Sequence, residues 1–289
     1  MGNQLALPGR PMLLAAFAVS AIVLFSFTAA AAPPSSDLRV PILVYHRFGR
    51  VVADSMTVTT EVFESQLQYL EANGYAVIPL RQFVDYRLGR GPSPPPHSLV
   101  ITADDGHGSV YTEMLPLVTR YRIPVTLFIY PSAISRADYA LTWEQLRKLH
   151  GTGLFEIQSH TYWHPNFRKE KKRLTSGEYE QLVATQLTRS RERLHRELGV
   201  TVDMLAWPFG IFDDDLIRQA VRAGYVAAFS LERRHASTRD NLMALPRYLM
   251  TNGDRGRAFE RLLTGGRAEP RALSQPQGQT PILLGWVRP

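Results

Sequence analysis

Apolar residues along this chain fall into short runs separated by polar stretches with helical spacing. Runs over residues 40–45, 75–79, 98–103, 125–130, 155–158, 204–207 and 225–230 are β-branched or aromatic in part and bounded by turn residues. Each predicts a short buried strand. Between them, Phe63, Leu67 and Leu70 repeat at helical spacing, with Gly74 as a stop. Thr142 with Gln145, and Thr175 with Glu178, have capping-box spacing. Asp213, Asp214 and Asp215 put negative charge where a helix macrodipole favours it. Strand–helix alternation over roughly two hundred residues predicts an α/β fold with a mainly parallel sheet. The number of strands suits a closed or partly open barrel.

The amino-terminal pattern is different. Arg10 precedes an apolar run over residues 11–32 that ends in alanines and Pro33-Pro34. This describes a signal peptide or an N-terminal membrane anchor (1–32), followed by a linker (33–38) and one domain (39–264). Either form carries the domain out of the cytoplasm, to the periplasm or cell envelope. Residues 265–289 are rich in Gly, Pro, Gln and Arg and read as a loosely packed tail. Of 289 residues 45% are hydrophobic and 20% charged, which excludes a disordered chain. With no cysteine, any metal must be held by His, Asp or Glu. The net charge of +7 concentrates at 168–173 and 189–196, as a solvated helix face or a patch for acidic glycans or headgroups. No nucleic-acid-binding module is recognisable.

In α/β folds of this kind reactive groups gather at the carboxyl ends of the strands. There stand His46, then Asp104-Asp105-Gly106, then His160, then Trp207-Pro208-Phe209-Gly210. Adjacent carboxylates after an apolar strand suggest a cation between them, or else an Asx turn closed by Gly106. His160 and His164 are spaced to reach one side of a helical turn. With Asp105 they make two nitrogens and one oxygen, leaving a position open for water. Catalytic zinc sites take that form, and so do non-haem iron oxygenases.

Thr102-Ala103-Asp104-Asp105-Gly106 and Ser159-His160-Thr161-Tyr162-Trp163-His164-Pro165 resemble the two principal motifs of polysaccharide deacetylases, the NodB-homology or carbohydrate esterase family 4 group. Val40 to His46 and Ile123 to Phe128 resemble flanking strands of that family. The resemblance spans about residues 38–250 and is closest to the branch acting on exported β-1,6-linked N-acetylglucosamine polymers. It implies a distorted or incomplete (β/α) barrel and a metal-dependent hydrolase that removes N-acetyl groups from an exported or cell-envelope polysaccharide. It implies one divalent ion (zinc, with nickel, cobalt or iron as alternatives) on Asp105, His160 and His164. Asp104 is then the base, and exopolysaccharide synthesis or export machinery are candidate partners.

Three departures stand out. Ala103 replaces the usual Phe. Trp207-Pro208-Phe209-Gly210 replaces a motif whose Arg orients the base, leaving Asp104 without a visible restraint. Leu245-Pro246-Arg247 stands where the family's acid-bearing Leu-x-His is expected. His46 is therefore the candidate acid, ahead of His107, and Trp207, Pro208 and Phe209 are candidate sugar contacts. A catalytically inactive carbohydrate-binding domain of the same fold is the competing expectation.

Overall fold

The computed structural model describes residues 1–2 and 38–265. Its main sheet has eight strands: β1 (Ile42–Tyr45), β2 (Ala76–Val77), β3 (Ser98–Asp105), β4 (Val125–Ile129), β5 (Phe155–Ser159), β6 (Met204–Ala206), β7 (Ala227–Phe229) and β8 (Tyr248–Leu249). They lie in the order β7-β6-β5-β4-β3-β1-β8, with β2 beside the start of β3, and every pair is parallel.

Alternate residues along each strand serve opposite faces. Ile42, Val100, Phe128, Met204, Ala206, Ala227 and Phe229 share the inner cluster with Leu245. Leu43, Leu99, Ile101, Leu127, Ile157 and Leu205 belong to the outer cluster that the helices cover. Burial on both faces explains why the strands read as continuous apolar runs.

The segment 245–250 touches both sheet edges. Its Leu245 N–H donates to the Ala228 carbonyl at 2.8 Å, and its Met250 N–H donates to the Val44 carbonyl at 2.9 Å. It thereby draws the sheet into the expected incomplete barrel. Its strand, β8, was not predicted, because two residues beside Pro246 give no periodicity.

Helices form at the three predicted caps and at the 63–70 repeat, and among the described residues four more α-helices form where no signal was read. In chain order they are α1 (Thr60–Ala72), α2 (Leu80–Arg87), α3 (Leu115–Tyr121), α4 (Trp143–Gly151), α5 (Phe167–Arg173), α6 (Ser176–Leu198), α7 (Asp214–Arg222) and α8 (Arg257–Leu263). Both capping boxes form, at Thr142/Gln145 and Thr175/Glu178, and Asp213 caps α7 through the Leu216 N–H. Gly199 ends α6 at φ 70°, where a side chain would be strained.

The basic clusters are helix surface. Lys171 pairs with Asp213 and Arg193 with Glu197, while Arg189 lies over the Tyr162 ring. Among the described residues no helix is long and apolar enough to cross a membrane. The apolar run 11–32, nearly all of the linker and the tail from 266 lie outside the described residues.

Arg81 of α2 ties down the amino-terminal end of the sheet, donating to Glu156 at 2.8 Å and to Asp203 at 2.6 and 2.9 Å. Arg81→Met leaves both carboxylates without their cation. It should cost about 1.5–3 kcal/mol in urea unfolding, the range for hydrogen bonds to charged groups. Metal binding at the opposite rim should not change. An unaltered urea midpoint would show the cluster to be ornamental.

Candidate metal centre at the carboxyl rim

β3 carries Asp104 on the inner face with Val100 and Thr102. Strand alternation should turn the next side chain outward, but Asp105 has φ 71°. This left-handed residue re-aims its carboxylate towards the rim. Gly106 follows at φ 77°, and a Cβ there would come within 2.9 Å of Ile129 Cδ1, so only glycine completes the turn. Two neighbouring acids therefore share one site although they sit on one strand.

The histidine loop follows β5. His160 donates its N–H to the Ile129 carbonyl at 2.8 Å. The expected helical turn does not form: Thr161 and His164 have φ 64° and 60°. That reversal brings the two imidazoles to 4.5 Å between ring centroids. The buried Gln186 of α6 accepts the N–H groups of Tyr162 and Trp163 at 3.2 and 2.9 Å, which holds the loop. With Phe209 (φ 57°), four strained non-glycine residues collect on this rim.

His160 Nδ1–H donates to the Ala206 carbonyl at 2.8 Å, so its Nε2 lone pair faces the acids. Nε2 lies 3.6 Å from Asp105 Oδ1 and 3.7 Å from Asp104 Oδ2, and His164 Nε2 lies 3.8 Å from Asp105 Oδ1. These gaps are too long for hydrogen bonds. They are close to the roughly 3.3–3.6 Å that separates ligands held ~2.0–2.2 Å from one tetrahedral ion. Asp105 Oδ1 is buried without a hydrogen-bond partner. Burial pushes His160 down to about 3 and His164 below the ordinary histidine range, so both imidazoles are neutral donors at physiological pH. Burial also pushes the Asp105 carboxyl up, against the opposing pull of His46. A divalent cation would relieve that penalty and satisfy the orphaned oxygen, so the residues present fit one.

Asp104 is restrained by a residue that sequence reasoning missed. Arg247 is fully buried and donates through Nη1 to Oδ1 at 2.8 Å and through Nη2 to Oδ2 at 2.7 Å. Its Nε donates to the Ser230 carbonyl at 3.2 Å, and its guanidinium lies between the Phe128 and Phe229 rings, 5.3 and 5.9 Å from their centroids. Burial pushes the Asp104 carboxyl up, but Arg247, with His160, outweighs this and holds it below the usual carboxylate range. The segment read as lacking a histidine thus supplies the missing arginine. One signal was available: a lone charge within Ala244-Leu245-Pro246-Arg247-Tyr248-Leu249-Met250.

His46 directly follows β1, and its charge acts on both Asp104 and Asp105. Its Nδ1 is buried without a partner. Of the expected sugar contacts, Trp207 is corrected: it is wholly buried, and its indole N–H donates to the Met243 carbonyl at 2.9 Å. It follows the outer-facing Leu205 in alternation, so it packs under the helices against Phe167. Pro208 is buried too, whereas Phe209 is 56% exposed with its ring 4.6 Å from His164. His107 turns its Nδ1 to the Ser109 hydroxyl at 2.8 Å. His150, His195 and His235 each turn a ring nitrogen to a backbone carbonyl, and His97 stacks on Tyr75.

Residues 91–228, which carry both acids and both rim histidines, match the family profile for polysaccharide deacetylase. This segment is a polysaccharide deacetylase domain. The chain is 26% identical over 212 residues to the poly-beta-1,6-N-acetyl-D-glucosamine N-deacetylase of Staphylococcus aureus, covering 72% of this chain and 71% of that protein. The enzyme of the same name from Staphylococcus epidermidis gives the same values. The Streptococcus pyogenes deacetylase PplD in complex with acetate superposes with a TM-score of 0.70 at 20% identity, covering 78% of this chain and 99% of that one. IcaB from Ammonifex degensii gives 0.67 at 25% identity, covering 80% and 97%. His46 and Arg247 lie outside the profile match at 91–228, and the fold brings them to the rim.

Arg247→Met leaves Asp104 buried without its cation and should cost about 3–5 kcal/mol. The double variant Asp104→Asn/Arg247→Met should recover most of that loss in chemical unfolding. If the two losses simply add, the pair is not coupled. Because the Asp104 pKa is depressed by folding, the pair's contribution is complete above about pH 4, the unfolded aspartate value, and fades as pH falls through the folded one.

Proposed function

We propose that this polysaccharide deacetylase is a metal-dependent hydrolase that removes N-acetyl groups from an exported N-acetylglucosamine polymer. One observation carries the reading: two imidazole nitrogens and the unpartnered Asp105 oxygen converge beside a second carboxylate that Arg247 keeps ionised. The Staphylococcus relatives, named as poly-beta-1,6-N-acetyl-D-glucosamine N-deacetylases, suggest the substrate class.

Asp105, His160 and His164 would hold the ion, and zinc suits two nitrogens and one oxygen, with nickel, cobalt or iron accepting the same donors. When bound, the ion would polarise the acetamide carbonyl and lower the pKa of water from ~15.7 towards 7. Asp104 takes the proton of that water as it attacks the carbonyl carbon. A carboxylate held below its usual range is a poor base for bulk water, so this role depends on acidified water. A backbone N–H beside Phe209 donates to the developing oxyanion. His46 protonates the amine as the C–N bond breaks, releasing acetate and a glucosamine unit. Phe209 offers its exposed ring to a sugar face.

A binding-only domain would need the ligands but not an ionised base locked by a buried arginine. The apolar run 11–32 would place the reaction in the periplasm or cell envelope, where such a polymer and its synthesis or export machinery are met.

Free amine released from N-acetylglucosamine oligomers should appear with the metal-loaded protein and vanish with chelator. Asp104→Asn should keep its metal yet lose about 10²–10⁴-fold in kcat, the usual weight of a general base. His160→Ala should lose the metal itself. Near-normal turnover by Asp104→Asn would end the base assignment. His46→Gln should lose kcat over the same range, and a change confined to KM would exclude it as the acid.

A further inference from the structure

We propose that Tyr139, braced by Tyr130, is a second sugar platform that binds a neighbouring residue of the same glycan chain. The inference rests on the deacetylase reading of the site and adds a subsite to it.

Tyr130 directly follows β4, and its ring lies 5.4 Å from His164. Phe209 lies 4.6 Å from the same imidazole. Both rings flank His164. Beyond Tyr130 the strip continues: the Tyr130 and Tyr139 hydroxyls are 2.6 Å apart, and Tyr139 stacks on His107 at 6.1 Å and 15°. The contacts therefore link Phe209, His164, Tyr130, Tyr139 and His107 in turn, with the proposed metal ligand His164 between Phe209 and the two tyrosines. A substrate acetamide centred there would leave Phe209 towards one end and Tyr139 towards the other.

The two ends share an unusual property. Tyr139 is 48% exposed and Phe209 56%, although both are large apolar rings. Isolated exposure of an apolar side chain needs no explanation. Exposure combined with immobilisation does. Tyr139 is fastened to the turn that carries the acids: the Gly108 N–H donates to its carbonyl at 2.7 Å, and the Leu141 N–H donates to the Gly106 carbonyl at 2.8 Å. A Cβ at Gly108 would stand 3.3 Å from the Tyr139 oxygen, so glycine lets the two strands of the loop approach. The far end of the ring is held by the Tyr130 hydroxyl. A ring fixed at both ends loses little entropy on stacking, which is what makes tyrosine an effective anchor. Its free face is apolar while its hydroxyl is already paired, which matches the C–H face of a pyranose.

The chain-length dependence of amine release tests this. With N-acetylglucosamine oligomers of increasing length, wild-type kcat/KM should rise until the platform is filled. Tyr139→Ala should lose about tenfold or more on the longer oligomers, mainly through KM, since each 1.4 kcal/mol of lost binding is tenfold. Tyr139→Phe, which keeps the ring but loses its tie to Tyr130, should retain a reduced rise and serves as the folding control. A Tyr139→Ala length profile equal to wild type overturns the platform and leaves the deacetylase reading standing. Should the wild type release no amine at any length, that reading fails first. Calorimetric titration with the longest oligomer then judges the platform: equal affinities, or no binding by either protein, overturn it.

Discussion

An ionised carboxylate buried among apolar strands costs several kcal/mol unless a cation and hydrogen bonds surround it. Asp104 stands in that position, and both of its oxygens are taken by Arg247. The pairing decides more than the charge of one residue. It fixes the carboxylate plane and leaves Asp105 as the acid whose oxygen is unmatched; in the proposed site it would keep Asp104 out of the ligand set. Were Asp104 free to turn, two like charges would compete for one cation, and neither would have a settled role. The division of labour between adjacent acids therefore comes from an arginine on a different segment.

The rim achieves its convergence through backbone strain. Asp105, Thr161, His164 and Phe209 all adopt left-handed conformations that ordinary side chains avoid. Each costs of order 1–3 kcal/mol, which the surrounding hydrogen bonds must offset. The anchors are visible: Gln186 clamps the histidine loop, Ala206 orients the His160 ring, and Gly106 relieves the turn after the acids. Rigid neighbours make each distortion tolerable and hold the rim side chains in one arrangement.

Much of this was legible in the chain. Buried parallel strands announce themselves as apolar runs, and capping boxes at Thr142 and Thr175 mark helix starts through purely local hydrogen bonds. The acids and His160 were readable because they sit at the carboxyl ends of strands, and His164 because of its spacing from His160. What escaped was non-local. Arg247 meets Asp104 from 143 residues away, on a segment too short to show a period. Trp207 looked like a groove residue because aromatics beside proline carry no sign of which way they face. The turn containing His164 was expected to be helical because a four-residue spacing is compatible with helix, while its φ of 60° is imposed by tertiary contacts.

The closing segment 245–250 gives the arginine a second meaning. It joins β7 to β1 and at the same time delivers the cation that Asp104 requires. A chain folding from its amino terminus has the acids, the histidines and most of the sheet long before it has residue 247. Closing so long a loop is a large entropic step, repaid only when the final contacts form. Completion of the sheet and pairing of Asp104 thus depend on the same six residues, and a chain lacking them would leave the buried carboxylate without its cation. Maturation of the chemistry is timed by topology.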